Sequence, residues 1–206
     1  QRKLPSVAAV INPTRSGNMK VFLGAKEIVV PMYKTLEEAV ENHPDADVMI
    51  NFSSFRSAFR TTKEALDIEN IRTVVVIAEG IPERQTRELN TLVRKKKKNL
   101  IGPATVGGIT AGAFKIGNTG GALENLKSLR LYRPGSVGLV SVSGGMVNEM
   151  CNVLHRNSDG VYEGIAIGGD RYPGSTLVSH LLRYEQNPDI KFMMMLGEVG
   201  GIKEYE

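Results

Sequence analysis

Three apolar runs in the second half of the chain each end in a glycine-rich turn, and this repeated pattern constrains the fold most. The runs with their turns cover residues 137–145, 165–170 and 194–201. Continuous apolar runs are typical of strands that are buried on both faces of a parallel sheet. Because the carboxyl ends of parallel strands lie at one edge, the three turns are predicted to meet where such sheets bind ligands.

The first of these turns predicts an anion site at the start of a helix. Ser143 has the position of an N-cap, with Gly144 and Gly145 in the first helical turn. A helix start presents unpaired N–H groups and a positive dipole end, and glycines let an anion approach closely. A capped helix without a ligand is the alternative. A nucleophilic role for Ser143 is disfavoured, because the Gly-x-Ser-x-Gly pattern is absent. The predicted apolar face of the helix consists of Met146, Met150, Val153 and Leu154.

Glu198 follows the third apolar run and is the acidic residue that stands out. A carboxylate at this position can orient an imidazole for phosphoryl transfer, or it can be an ordinary N-cap. The residues themselves do not separate these two readings. Glu79 occupies a comparable turn, where the backbone is favoured as the contact.

Strands and helices alternate along most of the chain, which predicts right-handed βαβ crossovers. From 102 to 133 this rhythm stops, and a linker with a small hairpin is predicted there. Ser175 or Thr176 is the predicted cap of the last helix. The predicted strands are 7–11, 28–32, 47–52, 74–78, 99–102, 137–142, 163–167 and 190–196, and the main predicted helices start near 36, 55, 83, 144 and 175.

Composition excludes several classes of function. The formal charge of +4 is mild and much of it lies in 94–98, without the stacking aromatics of a nucleic-acid site. No apolar stretch is long enough to span a membrane. Cys151 is the single cysteine, so an internal disulfide is excluded and a reducing compartment is favoured. His43, His155 and His180 lie far apart and form no cluster, so no metal site is predicted.

Five segments resemble the ATP-citrate lyase family, in its region similar to the alpha subunit of succinyl-CoA synthetase. The resemblance runs from about Pro5 to Glu206. It implies an α/β fold: a truncated CoA-binding Rossmann-like domain over 1–131, with a linker from about 102, and then a flavodoxin-like parallel-sheet ligase domain over 132–206. The five segments are 77–82, 101–108, 132–137, 159–170 and 196–201.

The resemblance also implies a reaction and roles for individual residues. In that family ATP phosphorylates a histidine, the phosphoryl group passes to citrate, and CoA displaces it to give citryl-CoA. The complete lyase then forms acetyl-CoA and oxaloacetate. Glu198 would contact the phosphohistidine. The residues implied to hold the phosphoryl group are Ser141, Ser143, Gly144 and Gly145. Those implied to line the CoA site are Phe52, Ser53, Phe55, Ala78, Glu79, Gly80 and Ile81. Those implied to lie near the reacting acyl group are Thr105, Val106 and Gly107.

The chain also departs from the family pattern. The phosphorylated histidine lies in a Gly-His-Ala-Gly-Ala loop, which is expected beyond Glu206, and the first strand with its glycine-rich CoA loop is expected before Gln1. Val142 stands where the family usually has Arg or Lys. We therefore expect a fragment that is inactive alone.

The expected setting is a cytoplasmic, oligomeric parent enzyme. CoA is then a substrate, while ATP and Mg bind to an ATP-grasp part outside the chain, and a citrate synthase-like part completes the lyase. Two alternatives stay open at this point. One is another ADP-forming acyl-CoA synthetase, for example with succinate, and the other is a CoA-binding module without catalysis.

Overall fold

The computed structural model describes residues 5–205, and these form an α/β fold with three sheets and six α-helices. The expected fold class is confirmed, since both neighbouring pairs of strands in one sheet and two of the four pairs in another are parallel. The predictions on Gln1 and Glu206 concern residues outside the described range.

The first sheet contains an N-terminal hairpin that the sequence did not reveal. The strand order is β1-β3-β2, with β1 parallel and β2 antiparallel to β3. β2 begins at Gly17, between the predicted strands 7–11 and 28–32, where no strand was predicted. No residue of β2 is fully buried, so no buried apolar run marks this edge strand. The strands are β1 Val10–Ile11, β2 Gly17–Leu23 and β3 Lys26–Tyr33.

The second sheet is parallel throughout, in the order β4-β5-β6. One face of its central strand is covered by α2 and α3, and Leu89 and Val93 of α3 are buried there. The strands are β4 Val48–Asn51, β5 Thr73–Val76 and β6 Asn99–Ile101. The helices of this region are α1 Leu36–Asn42, α2 Phe55–Asp67 and α3 Glu83–Lys96.

The third sheet has five strands in the order β11-β9-β10-β7-β8. The expected hairpin is present as β7 and β8. It pairs antiparallel with β10 as part of this sheet, where a linker was expected. A short helix, α4, follows it. The strands are β7 Gly107–Thr110, β8 Phe114–Gly117, β9 Val137–Ser141, β10 Val161–Ala166 and β11 Phe192–Leu196. The helices are α4 Leu123–Ser128, α5 Gly144–Asn157 and α6 Leu177–Glu185.

Both faces of β9 are covered, as its continuous apolar run predicted. Leu139 packs with the buried side of α5, whereas its neighbour Val140 packs with Leu177 of α6 and with Val75 of β5. Successive side chains of a strand point to opposite faces. The Val140 face is therefore the layer that joins the third sheet to the second.

The expected apolar face of α5 is partly wrong. Val147, Cys151 and Leu154 are buried, while Met146 and Val153 are exposed. Residues four apart share a helix face, and the buried side follows that spacing from Val147 to Cys151. The prediction placed the apolar face a fraction of a turn away from the buried one, because Met146 and Val153 are apolar although they are exposed.

No helix within residues 5–205 is long and apolar enough to cross a membrane.

Candidate functional site

The turns after β9, β10 and β11 lie at one edge of the third sheet, as predicted. β9 pairs in parallel with β10 on one side and with β11 on the other. Their carboxyl ends therefore bring the turns at 142–145, 167–170 and 197–201 to the same edge.

The start of α5 presents free backbone donors at this edge. Ser143 is the N-cap, and its Oγ accepts a hydrogen bond from the N–H of Met146 at 3.4 Å. The N–H groups of Gly144 and Gly145 have no acceptor among the described residues. A Cβ on Gly145 would meet no atom within 4 Å, so the space before it is open. These features form the anion cradle, our name for Ser143, Gly144 and Gly145.

Ser141 supports this cradle from below. It is fully buried, its Oγ donates to the carbonyl of Ser143 at 2.9 Å, and the N–H of Ser143 donates back to that Oγ at 3.0 Å. The hydroxyl thus holds the turn that precedes the helix. Val142 is also buried, in the cluster that joins the two sheets, so its side chain does not reach the cradle.

The turn at 102–107 closes one side of the cradle. A Cβ on Gly144 would lie 2.6 Å from Cγ1 of Val106, so that only glycine allows this contact. Thr105 is buried and donates to the carbonyl of Ala166 at 2.5 Å, while its Oγ1 accepts from the N–H of Gly107 at 2.9 Å. Thr105 therefore fastens the turn to β10, and Val106 is the side chain that faces the cradle.

The same turn also contacts the second sheet. The N–H of Ala104 donates to the carbonyl of Ala78 at 2.9 Å, and Gly102 lies directly against the carbonyl of Val76. The turns after β5 and β6 are consequently adjacent to the edge that carries the cradle. The residues that the family resemblance implies for CoA and for the acyl group are therefore close together in space.

The turn after β5 has an exposed part and a buried part. Glu79 and Gly80 are exposed, and Gly80 has a positive φ of 78° with open space where a Cβ would lie. Ile81 is buried in the core of the second sheet. Backbone and Glu79 can contact a ligand here, whereas the side chain of Ile81 holds the turn.

The loop after β4 exposes two aromatic rings. Phe52 is 62% and Phe55 is 47% exposed, and the guanidinium of Arg56 lies 5.3 Å from the centre of the Phe55 ring. Ser53 is half-buried, and its N–H donates to Oδ1 of Asn51 at 2.9 Å. This arrangement offers apolar surface beside a positive charge.

Asn51 is a supporting residue that sequence reasoning missed. It is buried, and its Nδ2 lies within hydrogen-bonding distance of the Ala58 carbonyl and of Oγ1 of Thr61 and Thr62. It thereby joins the end of β4 to α2. The available signal was a polar residue at the end of the apolar segment 48–50.

Glu198 is exposed in the turn after β11, and its carbonyl accepts from the N–H of Gly201 at 2.8 Å. A second carboxylate lies close by. Glu204 packs against Gly197, and its Oε2 is buried without a partner among residues 5–205. The segment after this turn is joined to the loop that follows β10, because Nζ of Lys203 donates a hydrogen bond to the carbonyl of Asp170 at 2.5 Å.

The three histidines lie away from the cradle. His43 ends α1 beside Tyr33, and His155 is on the last turn of α5. His180 is buried on α6, where its Nε2 lies 3.0 Å from Oγ of Ser175. Burial, and then the nearby Arg183, lower the pKa of His180 to about 4.

Among the described residues, no group of three or more His, Cys, Asp or Glu side chains could hold a metal ion. The burial of Cys151 raises the pKa of its thiol to about 11, which keeps the thiol protonated.

Two domain families match the chain. Residues 7–80 match the CoA-binding domain, and residues 140–206 match the CoA-ligase domain. The first ends at the turn after β5, and the second begins one residue before Ser141. The matches therefore include the exposed rings, the Glu79 turn and the anion cradle.

Curated relatives match over nearly the whole chain. The probable ATP-citrate synthase subunit 1 of Schizosaccharomyces pombe is 55% identical over 207 residues, which is 99% of this chain and 33% of the relative. The ATP-citrate synthase of Homo sapiens is 53% identical over 100% of this chain and 19% of the relative. The chain thus spans a third or less of the length of these relatives.

A solved structure also matches. The ATP citrate lyase of Methanothrix soehngenii, in complex with citrate and coenzyme A, superposes with a TM-score of 0.96 at 61% identity, covering 99% of this chain and 33% of that one. This match covers the regions of both domain families. The chain therefore belongs to the ATP-citrate lyase family, of which it forms the CoA-binding and CoA-ligase region.

Proposed function

We propose that this chain supplies the CoA surface and the phosphoryl cradle of an ATP-citrate lyase. In the complete enzyme the reaction would convert citrate, CoA and ATP into acetyl-CoA and oxaloacetate through citryl phosphate and citryl-CoA. The observation that carries the proposal is the start of α5, where the N–H groups of Gly144 and Gly145 have no acceptor among the described residues and the space beside Gly145 is open.

The cradle suits a phosphoryl group in transit. Two N–H donors and the positive end of a fourteen-residue helix stabilise negative charge at a fixed point. The hydroxyl of Ser143 accepts from Met146 and keeps its own proton free to donate. Ser141 and Val106 shape the turn on either side, so the donors are in place before the ligand arrives.

A histidine from outside these 206 residues would bring the phosphoryl group. His43, His155 and His180 are all placed elsewhere in the fold. Glu198 extends from the neighbouring turn, where its carboxylate can accept a hydrogen bond from an incoming imidazole. Glu198 is the residue we propose for that contact.

CoA would lie across the turns of the second sheet. Phe52 and Phe55 offer exposed rings to its apolar portions, and Arg56 offers a charge to a phosphate. The turn 78–81 leads from there toward Val106, where the thioester would form. Solved structures of related ATP citrate lyases, one in complex with citrate and coenzyme A and one with (3S)-citryl-CoA, support this choice of ligands.

We also propose the remaining parts of the enzyme. An ATP-grasp part would bind ATP and Mg, a citrate synthase-like part would cleave citryl-CoA, and the 206 residues alone would not form citryl-CoA. A cytoplasmic location is consistent with the single buried cysteine. The boundary between the CoA-binding and ligase parts, expected near 131, stays a prediction.

The cradle is tested in a chimera in which these residues replace the matching region of the human ATP-citrate synthase. We expect citrate- and CoA-dependent ATP consumption in the chimera. Gly145→Val should lower kcat by at least about 100-fold, because its side chain fills the space of the anion without meeting other atoms. Val153→Ala, an exposed position on the same helix, is the control and should keep full activity.

Two results would overturn the proposal. One is a Gly145→Val chimera with unchanged kcat. The other is an active chimera in which succinate replaces citrate with equal kcat/KM, since this would favour another acyl-CoA synthetase. Isothermal titration of the 206-residue chain with CoA separates the binding surface from the chemistry, with Phe52→Ala and Phe55→Ala expected to weaken binding.

A further inference from the structure

We infer that a groove between α3 and the loop after β10 is a binding site for a small polyanion that carries several phosphate or carboxylate groups. The groove has a volume of about 530 Å³, a size typical of small-molecule sites. It lies outside the cradle and outside the residues proposed for CoA. Its lining consists of Arg84, Arg87, Glu88, Asn90, Thr91, Arg94 and Tyr172.

Three arginines on one stripe of α3 provide the charge. The stripe runs along one face of the helix, because its successive residues are three or four positions apart, in the order Arg84, Arg87, Thr91 and Arg94. All three are exposed, and within residues 5–205 no carboxylate lies within 4.0 Å of their guanidinium groups. Planar guanidinium groups bind phosphates and carboxylates through paired hydrogen bonds.

Two carboxylates of α3, Glu88 in the lining of the groove and Glu83 outside it, are already paired with other cations. Glu88 accepts from Lys63 of α2 at 2.9 Å, and Glu83 lies 3.3 Å from Arg171. Neither carboxylate lies within 4.0 Å of the guanidinium groups of Arg84, Arg87 or Arg94. The groove therefore keeps an uncompensated positive charge that an anionic ligand can neutralise.

The wall opposite α3 is held in a defined position. Nδ2 of Asn90 donates to the carbonyls of Tyr172 and Pro173 at 3.0 and 3.2 Å. The guanidinium groups of Arg87 and Arg171 each lie 5.6 Å from the centre of the Tyr172 ring. Because α3 covers the second sheet and the loop follows a strand of the third, a ligand in the groove would contact both units.

The test uses isothermal titration of the 206-residue chain at low salt with two probes, inorganic pyrophosphate and tricarballylate. We expect binding of at least one probe, with a dissociation constant below about 1 mM. The triple variant R84Q/R87Q/R94Q should weaken it at least about 10-fold, given three exposed charge contacts. Gln has nearly the helix propensity of Arg, and circular dichroism verifies that the variant folds. R156Q removes an exposed arginine on α5 and is the matched control.

A pyrophosphate response alone assigns the site to phosphorylated ligands, and a tricarballylate response alone assigns it to polycarboxylates. The bound probe should also raise the thermal midpoint of the wild type and not that of the triple variant. Absence of binding of both probes up to about 10 mM, or equal affinity in the triple variant, would overturn the inference. These variants touch no residue proposed for CoA or phosphoryl transfer, so the result is independent of the proposed function.

Discussion

The turns at the edges of the second and third sheets differ in how firmly they are packed. Around the third sheet, Thr105 and Ser141 are buried and hydrogen-bonded to backbone groups, and Gly168 lies against the carbonyl of Pro103. At the second sheet, the rings of Phe52 and Phe55 extend into solvent. We call the first the firm edge, because buried hydrogen bonds and close packing hold its turns, and the second the open edge, because it leaves apolar side chains exposed.

This difference matches the chemistry proposed for each edge. Stabilising a phosphoryl group requires donors that are already in place, because reorganising them would cost part of the stabilisation. A long, flexible cofactor such as CoA can instead bury exposed rings as it binds. The firm edge is predicted to matter for folding and the open edge for ligand binding.

The largest effect should come from a side chain between the two turns of the firm edge. Gly168 has a φ of 97°, and a Cβ there would lie 2.1 Å from the carbonyl oxygen of Pro103. We expect Gly168→Ala to lower the free energy of unfolding by about 4 kcal/mol, measured by denaturant titration. Gly169→Ala meets no atom within 4 Å and is the matched control. Equal stability of the two variants would contradict the packing described here.

Acid should weaken the same side of the molecule through His180. Its pKa is about 4 in the folded chain and 6.5 when solvated, since burial disfavours the charged ring. Its contribution to the free energy of unfolding is therefore complete above pH 6.5. As the pH falls toward 4, up to about 3 kcal/mol of that contribution is lost. The stability difference between wild type and His180→Gln, from urea titrations at pH 7 and pH 4, should shrink by that amount. A constant difference across this range would argue against a buried neutral imidazole.

A smaller loss of stability is expected when the hydrogen bonds of Thr105, which hold the 102–107 turn, are removed. Thr105→Val has nearly the same shape but lacks the donor to Ala166 and the acceptor for Gly107. We expect a loss of about 2 kcal/mol in the free energy of unfolding. Thr105→Ser keeps both hydrogen bonds and should recover most of it. If Ser were no better than Val, the methyl group rather than the hydroxyl would be what holds the turn.

The open edge should show the smallest effect on folding. Phe52→Ala and Phe55→Ala should change the free energy of unfolding by less than about 0.5 kcal/mol, because both rings are exposed. Phe22→Ala, at a ring that is 73% exposed on β2, gives a reference for an exposed phenylalanine without a proposed ligand. Only the first two variants should weaken CoA binding. A large loss of stability in either would mean that the second edge is as firmly packed as the first.

Much of the site could be predicted because it depends on local signals. The apolar run of β9, the N-cap at Ser143 and the glycines after it are continuous in sequence, and the structure confirms all three. The strand β2 was missed because an exposed edge strand lacks an apolar pattern. The supporting role of Asn51 was missed because a single buried amide produces no sequence pattern at all. The cap of α6 was predicted only in part, because the sequence offered Ser175 and Thr176 as adjacent candidates and the structure has Thr176.

The sequence by itself determined the alternation of strands and helices, the three glycine-rich turns at one sheet edge and, through long matching segments, the family. Each of these depends on residues that are close together along the chain. Only the tertiary structure decided that the hairpin β7–β8 joins the third sheet, that Val106 closes the cradle against Gly144, and that α3 and Tyr172 border one groove. These contacts join residues tens of positions apart, and packing between elements, rather than local pattern, sets them.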